Sequence, residues 1–319
     1  MKPTLEVDLD GIRLPTPVMV ASGCFGSGQE LAGLVDVSKF GGAVTGTITL
    51  RPVKGMPTPR MAETPSGLLA GVGFQNPGAE AFRERELPAL AQHGIPLFVS
   101  VGGTTVEEFV RVTATLQGAP GITALEANLG CPDQYRGGQP FGFRLKPAME
   151  VVGAMSRLST LPVFAKLPAE TADLVEIAEA CARAGAHGLT LINALAGMAI
   201  DPATLRPRVA AAIGSLSGPA IRPVAVRAVF EVARALPGTP IIGVGGVQDA
   251  ADAAELLLAG AWAVQVGTAV LADPEAPITI ADGLLEYLSG KGLYRPADLR
   301  GRVRLGESRL QPEPAGPGA

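Results

Sequence analysis

Eight short apolar runs recur along this chain with longer Ala-, Leu- and Glu-rich stretches between them, and that alternation constrains the fold more than any other feature. The runs are 17–22 (PVMVAS), 42–46 (GAVTG), 96–101 (PLFVSV), 124–128 (ALEAN), 162–167 (PVFAKL), 188–193 (GLTLIN), 240–246 (PIIGVGG) and 263–268 (AVQVGT). Most are apolar at consecutive positions, as strands covered on both faces must be. The later intervals are amphipathic: TADLVEIAEACARAGA puts Leu174, Ile177 and Cys181 on one face and stops at Gly185. RPVAVRAVFEVARAL and DAADAAELLLAGA follow the same pattern. Strand and crossover repeated eight times predict an α/β chain closed into a (β/α)8 barrel of the TIM type. A doubly wound open sheet is the alternative, but it would use fewer strands and an early Gly-rich fingerprint, which is missing.

One barrel domain over 1–310 accounts for the 319 residues, and the tail 311–319 (QPEPAGPGA) has no core-forming residues and is expected to be disordered. A net charge of −4 without basic clusters speaks against nucleic acid as a partner. No apolar run approaches the roughly 18 residues of a membrane span. The segment MKPTLEVDLDGIRL has no apolar core of a secretion signal, and three scattered cysteines fit neither a disulfide scaffold nor a metal cluster. A cytoplasmic protein without a metal site is expected. Residues 47–80 and 194–218, after strands 2 and 6, carry little helical period and are too long for plain connections. With the Gly-rich loop after strand 4, they are expected to build an active-site face.

In a barrel the chemistry sits at the C-terminal strand ends. Here those ends carry Ser22-Gly23-Cys24, Thr45-Gly46, Ser100, Asn128, Lys166, Asn193, Gly245-Gly246 and Gly267-Thr268. Small residues after strands 7 and 8 let backbone N–H groups approach a phosphate, although tight turns alone would also use them. Lys166, in an otherwise apolar strand, can form a Schiff base, set a positive charge beside an anionic cofactor, or merely snorkel from a strand edge. Asn128 and Asn193 end strands where a core would take Val or Ile. Singly each could be a turn residue; together they favour a planar ligand bearing C=O and N–H groups.

Cys131 follows strand 4 in NLGCPDQYRGGQPFG, pinned by Pro132 and opening a polar loop with Gly137 and Gly138. Neither histidine, His93 or His187, falls at a C-terminal strand end, so acyl transfer lacks its base partner. A thiolate that removes a proton needs only a dry pocket under a mobile loop, and an exposed thiol facing substrate is expected here. Cys181 reads as core and Cys24 as packing beside the first strand end.

The motifs ASGCFG, PTPRMAET, GFQNPG, NLGCP…GGQPFG, LSGPAIRPVA and PIIGVGG…AGAWAVQVGTA, spread from Val18 to Pro274, resemble the class 1 dihydroorotate dehydrogenases. The heterotetrameric type, which works with an iron–sulfur flavoprotein subunit, is the one most resembled. The resemblance implies FMN as cofactor, with Ser22, Gly23, Asn128, Lys166, Ile192 and Gly218 around the ring and ribityl chain. It places Gly245, Gly246, Gly267 and Thr268 at the phosphate. It implies Cys131 as the base that takes the C5 proton of dihydroorotate while C6 gives hydride to FMN N5, in pyrimidine biosynthesis. Asn128, Asn193 and the backbone of Gly73-Phe74 would hold the substrate. It implies further a homodimer and an iron–sulfur/FAD electron-transfer partner.

The substrate shell departs from the family pattern. Gly46 stands where the family has lysine; Ala70, Ser100 and Asp133 stand for asparagine, Ala194 for Thr or Ser, and Gly130 for the serine before the catalytic cysteine. Lost partners of a buried ligand cost about 1–3 kcal/mol each, and Asp133 adds negative charge near an anionic substrate. Arg51, Lys54 and Arg136 are candidate replacements. A related ring substrate, a catalytically silent FMN subunit, and a Schiff-base lyase using Lys166 therefore stand as alternatives.

Overall fold

The computed structural model describes residues 2–26 and 29–306; the tail expected at 311–319 lies outside them. Eight parallel strands close into a barrel: β1 (Val18–Val20), β2 (Ala43–Val44), β3 (Leu97–Val101), β4 (Ala124–Asn128), β5 (Val163–Leu167), β6 (Gly188–Leu191), β7 (Ile241–Val244) and β8 (Ala263–Val266). They pair in sequence order, and β8 pairs with β1 to complete the ring. The predicted (β/α)8 architecture is what forms, each strand running one to three residues shorter than its apolar run or matching it. The main outer helices are α1 (Val106–Leu116), α2 (Leu145–Leu158), α3 (Leu174–Arg183), α4 (Arg222–Ala235), α5 (Ala250–Ala259) and α6 (Ala276–Gly290). Their apolar stripes bury Phe109 and Val112, Val151 and Met155, Ile177 and Cys181, and Val229 and Val232 against the outward faces of the strands. No helix among the described residues is long and apolar enough to cross a membrane.

Because strand side chains alternate, one set in each strand points into the barrel. Its lower layer is apolar: Met19, Val44, Phe98, Ala124, Phe164, Ile242 and Ala263 pack together with Val7, Leu9, Ile12 and Leu14. The last four come from an antiparallel ribbon, Val7–Asp8 with Arg13–Leu14, that plugs the N-terminal end. The Phe98 and Phe164 rings lie 5.1 Å apart. Gly188 makes room for them, since a Cβ there would stand 2.4 Å from Phe164 Cε1. His187 Nε2 lies 2.9 Å from the Leu9 carbonyl and ties the ribbon to the barrel.

The long connections after β2 and β6 contain short strands among their irregular segments. Met61–Thr64 and Gly67–Ala70 form a hairpin, and Ile213–Ser217 pairs with its inner strand and with Leu195–Met198. The result is one antiparallel sheet of order 195–198, 213–217, 67–70, 61–64 joining the two connections. Its strands are only four or five residues long, so neither helical period nor a long apolar run announced them.

Candidate active site

Two residues above the apolar layer, the same strands turn polar. Ser100, Glu126, Lys166, Thr190 and Gln265 are each no more than 5% exposed. Glu126 Oε1 meets Lys166 Nζ at 3.3 Å, and Glu126 Oε2 accepts from Thr190 Oγ1 at 3.0 Å and Gln265 Nε2 at 3.2 Å. A fully buried carboxylate is tolerable only with such partners. Lys166 is therefore held in the barrel centre and does not snorkel. Its charge reaches Cys24 at the end of β1: burial pushes that thiol up to about 11, and the lysine pulls it back.

A chain of neutral polar groups crosses the mouth above this floor. Asn193 Nδ2 donates to Asn128 Oδ1 at 2.8 Å, Asn128 Nδ2 donates to Thr47 Oγ1 at 2.9 Å, and Thr47 Oγ1 lies 3.1 Å from Ser100 Oγ. The two asparagines noted at strand ends are thus direct neighbours. Gly130 belongs to the same arrangement: a Cβ there would stand 2.3 Å from Asn193 Nδ2, so the missing side chain lets the amides meet. Its N–H donates to Asn128 Oδ1 at 3.1 Å.

Cys131 is buried, at 2% exposure, where an exposed thiol was expected. Gly102 admits it, since a Cβ at that position would lie 2.8 Å from the sulfur and 2.4 Å from Thr47 Cγ2. Burial pushes the thiol up to about 12; a backbone hydrogen bond from Gly103 pulls it down, and the Glu108 carboxylate pushes it up again. Over it lies the loop 132–142, fastened at several points. Asp133 N donates to the Gln139 carbonyl, Gln134 N to the Thr104 carbonyl and Phe141 N to the Cys131 carbonyl. The Asp133 carboxylate accepts from Tyr135 N at 2.9 Å and pairs with Arg136 at 2.8 Å, and Arg136 reaches Glu150 of α2 at 3.7 Å. Asp133 therefore presents no bare charge to the mouth. Arg136 is engaged within the loop and is not the free cation considered from sequence.

On the β7–β8 side, three small-residue segments converge. A Cβ on Gly246 would lie 3.0 Å from the Gly218 carbonyl oxygen, and one on Gly218 would lie 3.6 Å from Thr268 Cγ2. Thr268 Oγ1 donates to Ser217 Oγ at 2.8 Å. Gly245, Gly246 and Gly218 have φ of +136°, +74° and +90°, a region that favours glycine. At Gly245 a Cβ would come within 2.9 Å of Ala225 Cβ on α4, so close packing as well as conformation requires glycine there. Gly267 faces β1, where an added Cβ would be 3.7 Å from Cys24 Sγ. Ser22 Oγ donates to the Thr45 carbonyl at 2.8 Å, Gly23 beside it is exposed, and Ile192 is buried after β6.

Gly73 and Phe74 lie on the connection after β2, both at positive φ. The Phe74 carbonyl accepts from Asn76 Nδ2 at 2.8 Å, and Gly73 packs near Met56. Among the described residues no hydrogen bond joins them to Asn128, Asn193 or Cys131. Glu126, Thr47, Thr190, Gln265 and Glu108 were not singled out from sequence. For Glu126 the signal was present, because it sits two residues before Asn128 and so shares its inward face.

The dihydroorotate dehydrogenase family model matches residues 4–288. The catalytic subunit of dihydroorotate dehydrogenase B (NAD(+)) from Geotalea daltonii is 45% identical over 304 residues, covering 95% of this chain and 99% of that protein. The subunits of the same name from Pelobacter propionicus and Geobacillus kaustophilus are 46% identical over 303 residues and 44% over 298, covering 95% and 93% of this chain and 99% and 95% of theirs. With the barrel, the buried lysine and the strand-end thiol, these matches show that the chain belongs to the dihydroorotate dehydrogenase family.

Proposed function

We propose that this protein dehydrogenates the C5–C6 bond of a dihydropyrimidine ring with FMN as hydride acceptor, Cys131 taking the C5 proton. The mouth fits that cofactor on its own features. Gly218, Gly245-Gly246 and Gly267-Thr268 converge with small side chains, three of the glycines at positive φ, so that backbone N–H groups there can approach an anion such as the FMN phosphate. The buried ammonium of Lys166 beside Cys24 suits the electron-accepting edge of a flavin. Ser22, Gly23, Asn128 and Ile192 complete the wall from neighbouring strand ends. Bound there, FMN supplies two-electron hydride acceptance.

The chain's own residues do the rest. Glu126, Thr190 and Gln265 hold Lys166 in one place. Asn128 and Asn193, now bonded to each other, are positioned to exchange that bond for ring C=O and N–H groups of the substrate. The backbone of Gly73 and Phe74 would hold the substrate from the connection after β2. Cys131 Sγ holds the proton after transfer, and the closed loop above it excludes water. The single observation that carries the reading is Cys131, dry under its loop, with Thr47 and the Asn128–Asn193 pair at its side. The relatives are named as NAD(+)-type catalytic subunits, which supports a partner subunit with iron–sulfur and FAD centres that passes the electrons to NAD(+). A homodimer in the cytoplasm is part of the same reading.

The test is anaerobic mixing of FMN-loaded protein with dihydrouracil and dihydroorotate while the flavin absorbance is followed. Bleaching by either, lost in Cys131→Ser, is expected. A yellow protein that neither compound bleaches would overturn the reading, and trapping of a carbonyl compound on Lys166 by borohydride would favour a lyase.

A further inference from the structure

Dihydroorotate carries a carboxylate, and a buried carboxylate needs a cation or several N–H donors to offset desolvation. The cations nearest the mouth are already engaged, which leaves backbone N–H groups, those of Gly73 and Phe74 among them, as donors without a charge. The Lys166 ammonium is paired with Glu126, and Arg136 with both Asp133 and Glu150. Arg222, at the start of α4, is paired with Asp252 and Glu255. Arg60 donates to the Met56 carbonyl and to Gln75. Arg51 and Lys54 are solvent-exposed on the connection after β2.

The groups beside Cys131 are neutral or negative. Ser100, Thr47, Asn128 and Asn193 form one hydrogen-bonded chain, and the Glu108 carboxylate is near enough to raise the thiol. Between Thr45 and Thr47, both bonded into the mouth, Gly46 is half-buried with nothing within 4 Å of where a Cβ would stand. Space is left at that point, and no charge is put into it.

We propose that the site selects an uncharged ring, a 5,6-dihydropyrimidine with amide groups and no carboxylate, over dihydroorotate. The reaction balance is unchanged: C5–H and C6–H break, the C5=C6 bond forms, the proton goes to Cys131 and the hydride to the bound flavin, which is reduced by two electrons. This proposal rests on the dehydrogenase reading above, and its failure is separable from the failure of that reading.

The experiment is a titration of FMN-loaded protein with uracil and with orotate, the corresponding oxidised rings, read by the flavin difference spectrum. It is paired with the rates at which dihydrouracil and dihydroorotate bleach the flavin. Uracil is expected to bind roughly 10-fold or more tighter than orotate, as the lack of one charge-assisted partner implies. Gly46→Lys, placed in the open space, is expected to tighten orotate by about 10-fold and leave uracil little changed. Tighter orotate binding in the wild type, with faster bleaching by dihydroorotate, would overturn the proposal and leave the dehydrogenase intact. Loss of that orotate binding in Arg51→Ala with Lys54→Ala would then identify the cations responsible. Absence of any response to either ring, with FMN bound, would overturn the dehydrogenase reading and the proposal with it.

Discussion

The lower and upper layers of the barrel interior lie two residues apart on the same strands and have opposite chemistry. Phe98 gives way to Ser100, Ala124 to Glu126, Phe164 to Lys166 and Ala263 to Gln265. Below, apolar side chains interdigitate with the N-terminal ribbon. Above, an ion pair and its hydrogen bonds fill the same cross-section. The contrast shows how a barrel separates tasks without separate domains: the plugged end supplies burial energy, and the open end holds a buried ion pair.

Substitutions one layer apart should therefore fail in different ways. Phe164→Ala is expected to cost about 3–5 kcal/mol in urea unfolding, with the flavin spectrum of the surviving folded protein unchanged. A shifted spectrum would show that the layers are coupled. Glu126→Gln leaves Lys166 buried and unpaired, a loss of up to about 3–5 kcal/mol, and should also move the flavin reduction potential. A stability loss with no change in potential would reduce Glu126 to a structural role.

Cys131→Ser should slow flavin reduction by about 10²–10⁴-fold while unfolding hardly changes. The thiols themselves predict a pH effect. Burial holds Cys24, Cys131 and Cys181 at about 11, 12 and 12 against an ordinary 9.0. The unfolded chain thus loses thiol protons first as pH rises, so the thiols' contribution to stability is fully present below about pH 9 and should be lost between about pH 9 and 12. A urea-midpoint series across that window checks the sign. The smallest effect is that of Glu108→Gln: removing a negative charge beside Cys131 should move the alkaline rise of the flavin reduction rate to lower pH by a fraction of a unit.

The barrel was legible because buried parallel strands leave continuous apolar runs, and Lys166 and Asn128 stood out as exceptions within them. Glu126 and Gln265 carried the same signal in ALEAN and AVQVGT and are understood only when period-two alternation is applied to the inward face. The burial of Cys131 could not be read locally, because it depends on Gly102, just past the end of β3, and on a loop fastened through Arg136 to α2. Nor could the sheet over 61–70 and 195–217, whose pairing joins residues about 150 positions apart. Gly130 reads as a lost serine in sequence and as clearance for Asn193 in the fold.

That sheet has a consequence for engineering and for descent. Since Ser215, Leu216 and Ser217 bond to Ala70, Leu69 and Leu68, the connections after β2 and β6 are mechanically one part, anchored to the barrel at both ends. Neither can be transplanted from a relative alone. A graft that replaces 61–70 without 195–217 would leave an open strand edge over the mouth, so the two must be exchanged, and inherited, as a set.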